Sequence, residues 1–416
     1  MSSKGCLIVG GSHAAAQLVA SLRQEGWQES ITVISDSPLL PYQRPPLSKG
    51  FLAQKVTQQQ LLIRPESAYQ KHDIQFRLNS KVAAIDRHDH RVTLATGEQL
   101  EYAKLALCTG ARARHLEICG ADLQGVHYLR DLTDVETIQH DLSELAGPPE
   151  KINVVLVGGG YIGLETAASL RSLGYQVTVI EAAPRILQRV TAAPVAEFFA
   201  ELHQAHGVKL VTQKQVAELM SRDGQRVDQV VCTDGSHYSA DCVIVGIGVR
   251  PNIELAEQAG IDVSNGILVN EYAQTNDPDI VAAGDCTFHR IEHYDLSVRL
   301  ESVPNAMEQA KSAAASICGK QKAYTALPWF WSDQYDIKLQ IAGLNHGYEQ
   351  TVVRQNQSAK RALVVWYFKQ DHLIAADCIN SPKEFMLAKQ LIARNIAVTP
   401  EQLIDPEIDL AELLKV

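Results

Sequence analysis

The chain contains one local plan twice, and this repetition constrains its fold more than any other feature. Cys6–Val9 is a short apolar run followed by Gly10-Gly11-Ser12-His13-Ala14-Ala15, which opens a helical pattern that reaches Ser21-Leu22-Arg23 and stops near Gly26. Val154–Val157 repeats the plan, with Gly158-Gly159-Gly160-Tyr161-Ile162-Gly163 and a helical pattern that reaches Ser169-Leu170-Arg171 and Gly174. In both copies the leucine of the Ser-Leu-Arg triplet lies 12 residues after the first glycine. Each helix then returns into an apolar strand, Ile31–Ile34 or Val177–Ile180, leading to an acid, Asp36 or Glu181.

Strand, glycine turn, helix, strand and acid together make a dinucleotide-binding unit. The first glycine permits a tight turn, the second lets backbone approach a pyrophosphate, and the third allows close packing of helix on sheet. Unpaired N–H groups and the positive dipole end at the helix N-terminus receive the phosphate. The second copy has all three glycines, Gly158, Gly160 and Gly163, and Glu181 lies 23 residues after Gly158. The first copy keeps Gly10 but has Ser12 and Ala15 at the other two positions, so its assignment leans on the repeat. Two units imply two nucleotides. Glu181 suits the adenine ribose hydroxyls of NADH and repels a 2′-phosphate, while Arg185 and Arg189 leave residual NADPH use open.

A chain of 416 residues holds two to four domains at ordinary domain size, so a small binding module is excluded. The net charge of -10 opposes a nucleic-acid or anionic-membrane binder. That charge is uneven: residues 321–399 carry 9 basic and 6 acidic residues, whereas residues 400–416 carry five acids and one lysine. None of the eight cysteines forms a CxxC pair or a metal-ligand spacing, so unpaired thiols, a reducing compartment and no metal are expected. With no signal-peptide pattern at residues 1–10 and no apolar run of membrane-spanning length, a soluble cytoplasmic protein is expected.

Further segments lie between and after the two units: Pro41-Tyr42-Gln43-Arg44-Pro45-Pro46-Leu47-Ser48-Lys49, Leu107-Cys108-Thr109-Gly110, Gly246-Ile247-Gly248-Val249-Arg250-Pro251-Asn252, Ala283-Gly284-Asp285, Leu300-Glu301-Ser302-Val303 and Pro328-Trp329-Phe330-Trp331-Ser332-Asp333-Gln334. In this order and spacing the whole chain resembles the FAD- and NADH-dependent ferredoxin reductases of bacterial oxygenase systems, which serve aromatic hydrocarbon catabolism. The resemblance implies an α/β fold with two Rossmann-like, glutathione-reductase-like nucleotide domains and an α+β C-terminal domain. It places an FAD domain at 1–110 and 242–320, an NAD domain at 111–241 and the C-terminal domain at 321–416.

By the same resemblance Gly10, Ser12, Ala14, Asp36, Arg44, Lys49, Val82, Arg130, Asp285 and Val303 contact FAD. Gly158, Gly160, Ile162, Gly163, Glu165, Glu181 and Gly248 belong to the NADH site. Asp36 suits an adenosine ribose, Arg44 and Arg130 phosphate or adenine, and Asp285 a ribityl hydroxyl. For Val82 and Arg130 packing or surface charge is the alternative, and for Asp285 a turn acid. Lys49 and Glu165 are the candidate catalytic pair: buried together they neutralise one another, and the ammonium stabilises negative charge on the flavin, although a purely structural ion pair remains an alternative. Trp331 matches a tryptophan near the flavin, as an electron exit or as a core aromatic. Ser12, and Val303 followed by Pro304, depart from the usual pattern.

The implied function is electron transfer: a hydride passes from NADH to FAD, and single electrons pass on to a two-iron two-sulfur ferredoxin that feeds a terminal oxygenase. Disulfide reductases need a cysteine pair beside the flavin, and peroxidase-like or oxidase-like relatives need a cysteine soon after the first acidic strand. The segment Asp36–Lys49 has none. Rubredoxin reductase, NADH oxidase and an NADH-responsive flavin-containing binding protein are the competing readings. Lys311, Lys338, Lys383, Lys389 and Arg64 are candidates for a surface that docks an acidic ferredoxin.

Overall fold

The computed structural model describes residues 4–355 and 361–415. The chain forms two units. The first comprises the residues up to Gln43 together with Gln58–Arg112 and Arg250–Pro328, and the second Arg44–Thr57, Ala113–Val249 and the chain from Trp329 onward.

The first unit is built on a five-stranded sheet in the order Ile280–Ala282, Lys104–Leu107, Cys6–Val9, Ile31–Ile34, Ile74–Arg77, with every neighbouring pair parallel. Cys6–Val9 is apolar at every position and buried throughout, as a central parallel strand covered on both faces must be. Helix His13–Glu25 follows the first glycine turn and stops at Gly26, whose φ of 97° lets its N–H bond to the Arg23 and Leu22 carbonyls. Its alanine-rich face shares an apolar core with helix Val303–Ile317, where Ala14 and Ala15 meet Ala306, Ala310, Ala313 and Ala314. A three-stranded antiparallel sheet, Val82–Asp86, Arg91–Leu94 and Gln99–Glu101, is inserted before the fourth strand.

The second unit repeats this five-stranded parallel arrangement, except that its outer strand beside the fourth, Val126–Tyr128, comes before the glycine turn in sequence and not after it. Its parallel sheet runs Lys209–Val211, Gln176–Ile180, Asn153–Val157, Cys242–Val245, Val126–Tyr128. Here too a three-stranded antiparallel sheet, Val216–Met220, Gln229–Cys232 and His237–Ser239, precedes the fourth strand. In both sheets the strand order reverses beside the strand that feeds the glycine turn, the crevice where open α/β sheets bind ligands. The second unit also carries an antiparallel sheet in the order Trp329–Gln334, Ile337–Gly343, His372–Ile379, Leu363–Lys369, Gln350–Gln355. Helix Pro382–Ala393 packs on it. Leu339, Val365 and Tyr367 of this sheet share one apolar core with Leu164 and Phe199 of the nucleotide-binding part.

The expected α/β architecture with an α+β C-terminal part is therefore present, but its seams differ from the sequence expectation. Cys242–Val245 was expected to begin the second FAD segment. It pairs in register with Val154–Val157, so it completes the second dinucleotide sheet and the chain returns to the first unit only at Arg250. Arg44–Thr57 groups with the second unit because Ser48 and Lys49 bond to helix Tyr161–Ser172. Residues 321–328 group with the first unit, where the Tyr324 amide bonds to the Glu271 carbonyl. No helix among the described residues is long and apolar enough to cross a membrane.

Candidate functional site

In the first unit, Gly10 has φ 106°, and a Cβ there would collide with the Cys108 carbonyl oxygen. Only glycine permits this turn against the neighbouring strand. Ser12 stands at the N-cap of helix His13–Glu25, and its hydroxyl does not cap the helix, so the first-turn N–H groups keep the anion-receiving character of a helix N-terminus. Ala14 is buried, and a Cβ on Gly284 would lie 3.3 Å from its own, so the two small residues pack closely. The Gly284 amide donates to Gln309 Oε1 at 2.8 Å, and the Thr287 hydroxyl donates to the same oxygen at 2.9 Å. Gln309 thus holds the turn that presents half-buried Asp285. Asp36 is exposed just beyond its strand.

Val303 is half-buried and opens helix Val303–Ile317, which Ser302 caps by accepting the Asn305 N–H at 3.2 Å. Pro304 fits this first turn, where a missing N–H costs nothing. Val82 is buried in an apolar cluster with Leu94 and Tyr102.

In the second unit, Gly158 has φ 109°, and a Cβ there would strike the Gly246 carbonyl, while a Cβ on Gly163 would strike the Gly158 carbonyl. Gly160 faces open space at the N-cap of helix Tyr161–Ser172, and no side chain caps that helix. Glu181 closes the turn: its Oε2 accepts the Gly159 N–H and its Oε1 the Ala183 N–H, each at 2.7 Å. The carboxylate is thereby fixed, with lone pairs left for ribose hydroxyls. Arg185 turns back onto the Gln188 and Thr191 carbonyls. Ile162 and Gly248 are exposed. Both turns therefore fit the pyrophosphate of an adenine dinucleotide: glycine where backbone crowds backbone, an open face at the helix end, and an acid after the next strand.

Lys49 and Glu165 meet within the second unit. Glu165 lies in the second turn of helix Tyr161–Ser172, and the residue is only 2% exposed. Its Oε2 lies 2.7 Å from Lys49 Nζ and accepts the Ser48 hydroxyl at 2.6 Å, and its Oε1 accepts the Ser332 hydroxyl at 2.6 Å. Four residues on, on the same helical face, the Ser169 hydroxyl donates to the Ser48 carbonyl at 2.7 Å and pins the turn that carries Lys49. The buried carboxylate thus meets three donors, one of them cationic, so its lone pairs and the ammonium are satisfied together.

Arg44 donates to the Arg130 carbonyl at 2.7 Å, and the Arg130 amide donates to Asp134, so these two arginines are neighbours. Trp331 is half-buried, and strand alternation puts it on the face opposite Ser332, with Trp329 at 5.6 Å between ring centroids.

Ser48, Ser169, Ser332 and Gln309 were not singled out from sequence. Ser48 and Ser332 stand inside the Pro-Leu-Ser-Lys and Trp-Ser-Asp-Gln segments, which is the signal that could have found them.

All eight cysteines are free. Burial pushes the Cys108 and Cys286 thiols up, which suits packing and not redox chemistry. His127, Asp141 and Cys242 converge with ligand atoms within 4.8 Å of one another. However, Arg226 donates twice to Asp141 at 2.8 Å, and burial raises the Cys242 thiol, so this group is an ion-paired network hostile to a cation.

Among the candidate docking residues, Lys338 and Lys383 are exposed, and Lys389 Nζ lies 5.1 Å from the Trp329 ring centroid and 5.6 Å from that of Phe385. Met386 on the same helix is 53% exposed, giving a mixed basic and apolar patch. Lys311 is paired with Glu308 at 2.7 Å, and Arg64 is half-buried.

Comparison with known proteins agrees with this geometry. Residues 4–310 match the family described as pyridine nucleotide-disulphide oxidoreductase, and residues 329–414 match the domain described as reductase C-terminal. Putidaredoxin reductase CamA of Pseudomonas putida is 42% identical over 98% of this chain and 96% of its own. A rubredoxin-NAD(+) reductase of Pseudomonas putida is 39% identical over 91% of this chain and 96% of its own. The solved covalent putidaredoxin reductase–putidaredoxin complex superposes with a TM-score of 0.94 at 41% identity, covering 100% of this chain and 99% of the solved one. Two dinucleotide turns, their acids and these full-length matches lead to one conclusion: the chain belongs to the pyridine nucleotide-disulphide oxidoreductase family.

Proposed function

We propose that the chain is an FAD-dependent NADH:ferredoxin reductase of an oxygenase system, with a two-iron two-sulfur ferredoxin of acidic surface as its partner. One observation carries the reading: the buried Lys49–Glu165 pair occurs in a chain with two dinucleotide turns and no cysteine in the segment Asp36–Lys49. Bound FAD supplies the conversion of a two-electron hydride from NADH into single electrons.

The protein's own groups do the rest. The turn at Gly10 and the N-terminus of helix His13–Glu25 hold the FAD pyrophosphate, Ser12 adds a hydroxyl donor, Asp36 takes the adenosine ribose and Asp285 a ribityl hydroxyl. Arg44 and Arg130, neighbours in the second unit, keep the cationic role that the family resemblance implies. The turn at Gly158 receives NADH, with Glu181 on its ribose hydroxyls. Lys49 provides fixed positive charge where negative charge develops, and Glu165 holds that ammonium in place and preserves neutrality in a buried setting. Trp331 and the patch of Lys338, Lys383 and Lys389 form the electron-exit and docking surface.

On this reading the first unit binds FAD, the glycine-turn part of the second unit binds NADH, and the chain works in the cytoplasm. The match to a rubredoxin-NAD(+) reductase supports rubredoxin as a second possible acceptor. The test is anaerobic: purify the protein with its flavin, reduce it with NADH, then mix with a two-iron two-sulfur ferredoxin or a rubredoxin. Fast reoxidation by ferredoxin alone is expected. Reoxidation by rubredoxin alone would assign the second reading, and by neither would remove both.

A further inference from the structure

The Lys49–Glu165 pair is one end of a longer buried run within the second unit. Gln334 Nε2 donates to Ser332 Oγ at 3.2 Å, and Gln334 Oε1 meets His203 Nε2 at 2.8 Å. His203 Nδ1 meets the Tyr335 hydroxyl at 3.3 Å. Ser332, Gln334 and His203 are fully buried. They come from two elements, strand Trp329–Gln334 and helix Ala193–Ala205, which with helix Tyr161–Ser172 line the run.

Donor and acceptor chemistry fixes the direction of every link. An ionised Glu165 only accepts, so the single Ser332 proton points at Glu165 Oε1. Ser332 Oγ must then accept, which turns the Gln334 NH2 group toward it and its carbonyl toward His203. A carbonyl oxygen has no proton, so His203 donates from Nε2 and accepts at Nδ1 from Tyr335. The reverse wiring has its own signature. His203 would carry its proton on Nδ1, Gln334 would donate to Nε2, and the Ser332 proton would leave Glu165 for the Gln334 carbonyl.

We infer that Gln334 and His203 are positioning residues that hold the Ser332 hydroxyl proton on Glu165, and so fix the carboxylate that orients Lys49. The inference rests on the proposed role of the Lys49–Glu165 pair.

Burial lowers His203 to about 4, which keeps the ring neutral at working pH. The charged and titratable groups around the run agree with that state. His206, the C-cap of the helix that carries His203, stacks on Tyr335 at 3.8 Å and further disfavours a charged His203. Arg171 acts on Tyr335, Lys49 pairs with Glu165, and the charges of Asp377 and Glu165 act on the Tyr161 phenol.

The experiment uses the flavin-loaded protein labelled with 15N-histidine, the His203 signal being identified by its loss in His203→Gln. Between pH 5.5 and 8 the ring should hold the Nε2–H tautomer without titrating. Rapid anaerobic mixing with NADH should then show Gln334→Glu and Ser332→Ala lowering the limiting rate of flavin bleaching about tenfold, with the NADH dissociation constant within about twofold. His203→Leu should fall by a similar factor, while His203→Gln, which keeps an N–H donor, should recover most of the rate. An Nδ1–H ring, a ring titrating near its ordinary value, or wild-type bleaching rates in Ser332→Ala and His203→Leu would overturn the inference. Absence of NADH bleaching in the unmodified protein would instead remove the functional reading, while the tautomer would still report the wiring.

Discussion

Glu165 Oε2 lies 2.7 Å from Lys49 Nζ, joining two residues 116 positions apart in the sequence, and Ser48 donates to the same carboxylate oxygen. Lys49 remains 21% exposed while Glu165 is buried, so the pair offers its charge outward from the ammonium side. Removing either partner leaves a different fault. Lys49→Met strips the cation of the pair and leaves a buried carboxylate with two serine donors. Glu165→Gln keeps a hydrogen-bonding group but releases the ammonium.

For these variants, stopped-flow flavin reduction by NADH is expected to slow about 100-fold in Lys49→Met and about tenfold in Glu165→Gln, in line with the loss of preorganised charge at a reacting centre. A rate unchanged in both would reduce the pair to a structural ion pair.

Glu181→Ala should lower kcat/KM for NADH about 10- to 100-fold, as expected for losing hydrogen bonds to an ionised group. NADPH use should change less, so the ratio of the two specificities narrows. Because Glu181 also holds the Gly159 and Ala183 amides, thermal stability should fall as well. Steady-state kinetics with both nucleotides checks this, and unchanged NADH kinetics would move the nucleotide away from the Gly158 turn.

Asp377 is fully buried, and burial, only partly countered by the Tyr367 hydroxyl at 2.5 Å, raises it to about 7 from 3.8. Between those values the folded protein holds a proton that the unfolded chain has released. Each unit of rising pH in that window therefore costs up to about 1.4 kcal/mol of stability from this group, and the loss is complete above about pH 7. Urea unfolding of the protein and of Asp377→Asn at pH 5, 6, 7 and 8 should show the protein losing stability relative to the variant up to about pH 7 and then levelling. A pH-independent difference would mean that Asp377 is ionised throughout.

Charge reversal of Lys338, Lys383 and Lys389 should raise the KM for ferredoxin and weaken its salt dependence while leaving NADH-driven flavin reduction intact. Lys311→Glu should have a smaller effect, since its charge is already met by Glu308. Equal ferredoxin kinetics in the triple variant would place the docking surface elsewhere.

What could be read before the structure was local. Gly10 and Gly158 announce themselves because a tight turn against a neighbouring carbonyl admits no Cβ, and Asp36 and Glu181 because an acid follows within two residues of the strand after the helix. Cys242–Val245 was misplaced because an all-apolar strand fits either sheet equally well, and only its pairing with Val154–Val157 decides. The serines around Glu165 were hidden for a similar reason. Ser48 is 117 residues from Glu165 and Ser332 is 167, and His203 meets Gln334 across 131, so no periodicity connects them.

The central claim is one-electron delivery to a ferredoxin, and NADH-driven cytochrome c reduction tests it most directly. With purified flavin-loaded protein, the rate should be low alone and rise many-fold, saturably, as a two-iron two-sulfur ferredoxin is added, with little oxygen consumed in its absence. A rate indifferent to ferredoxin, with NADH oxidation accounted for by oxygen uptake, would contradict the account and make the chain an oxidase.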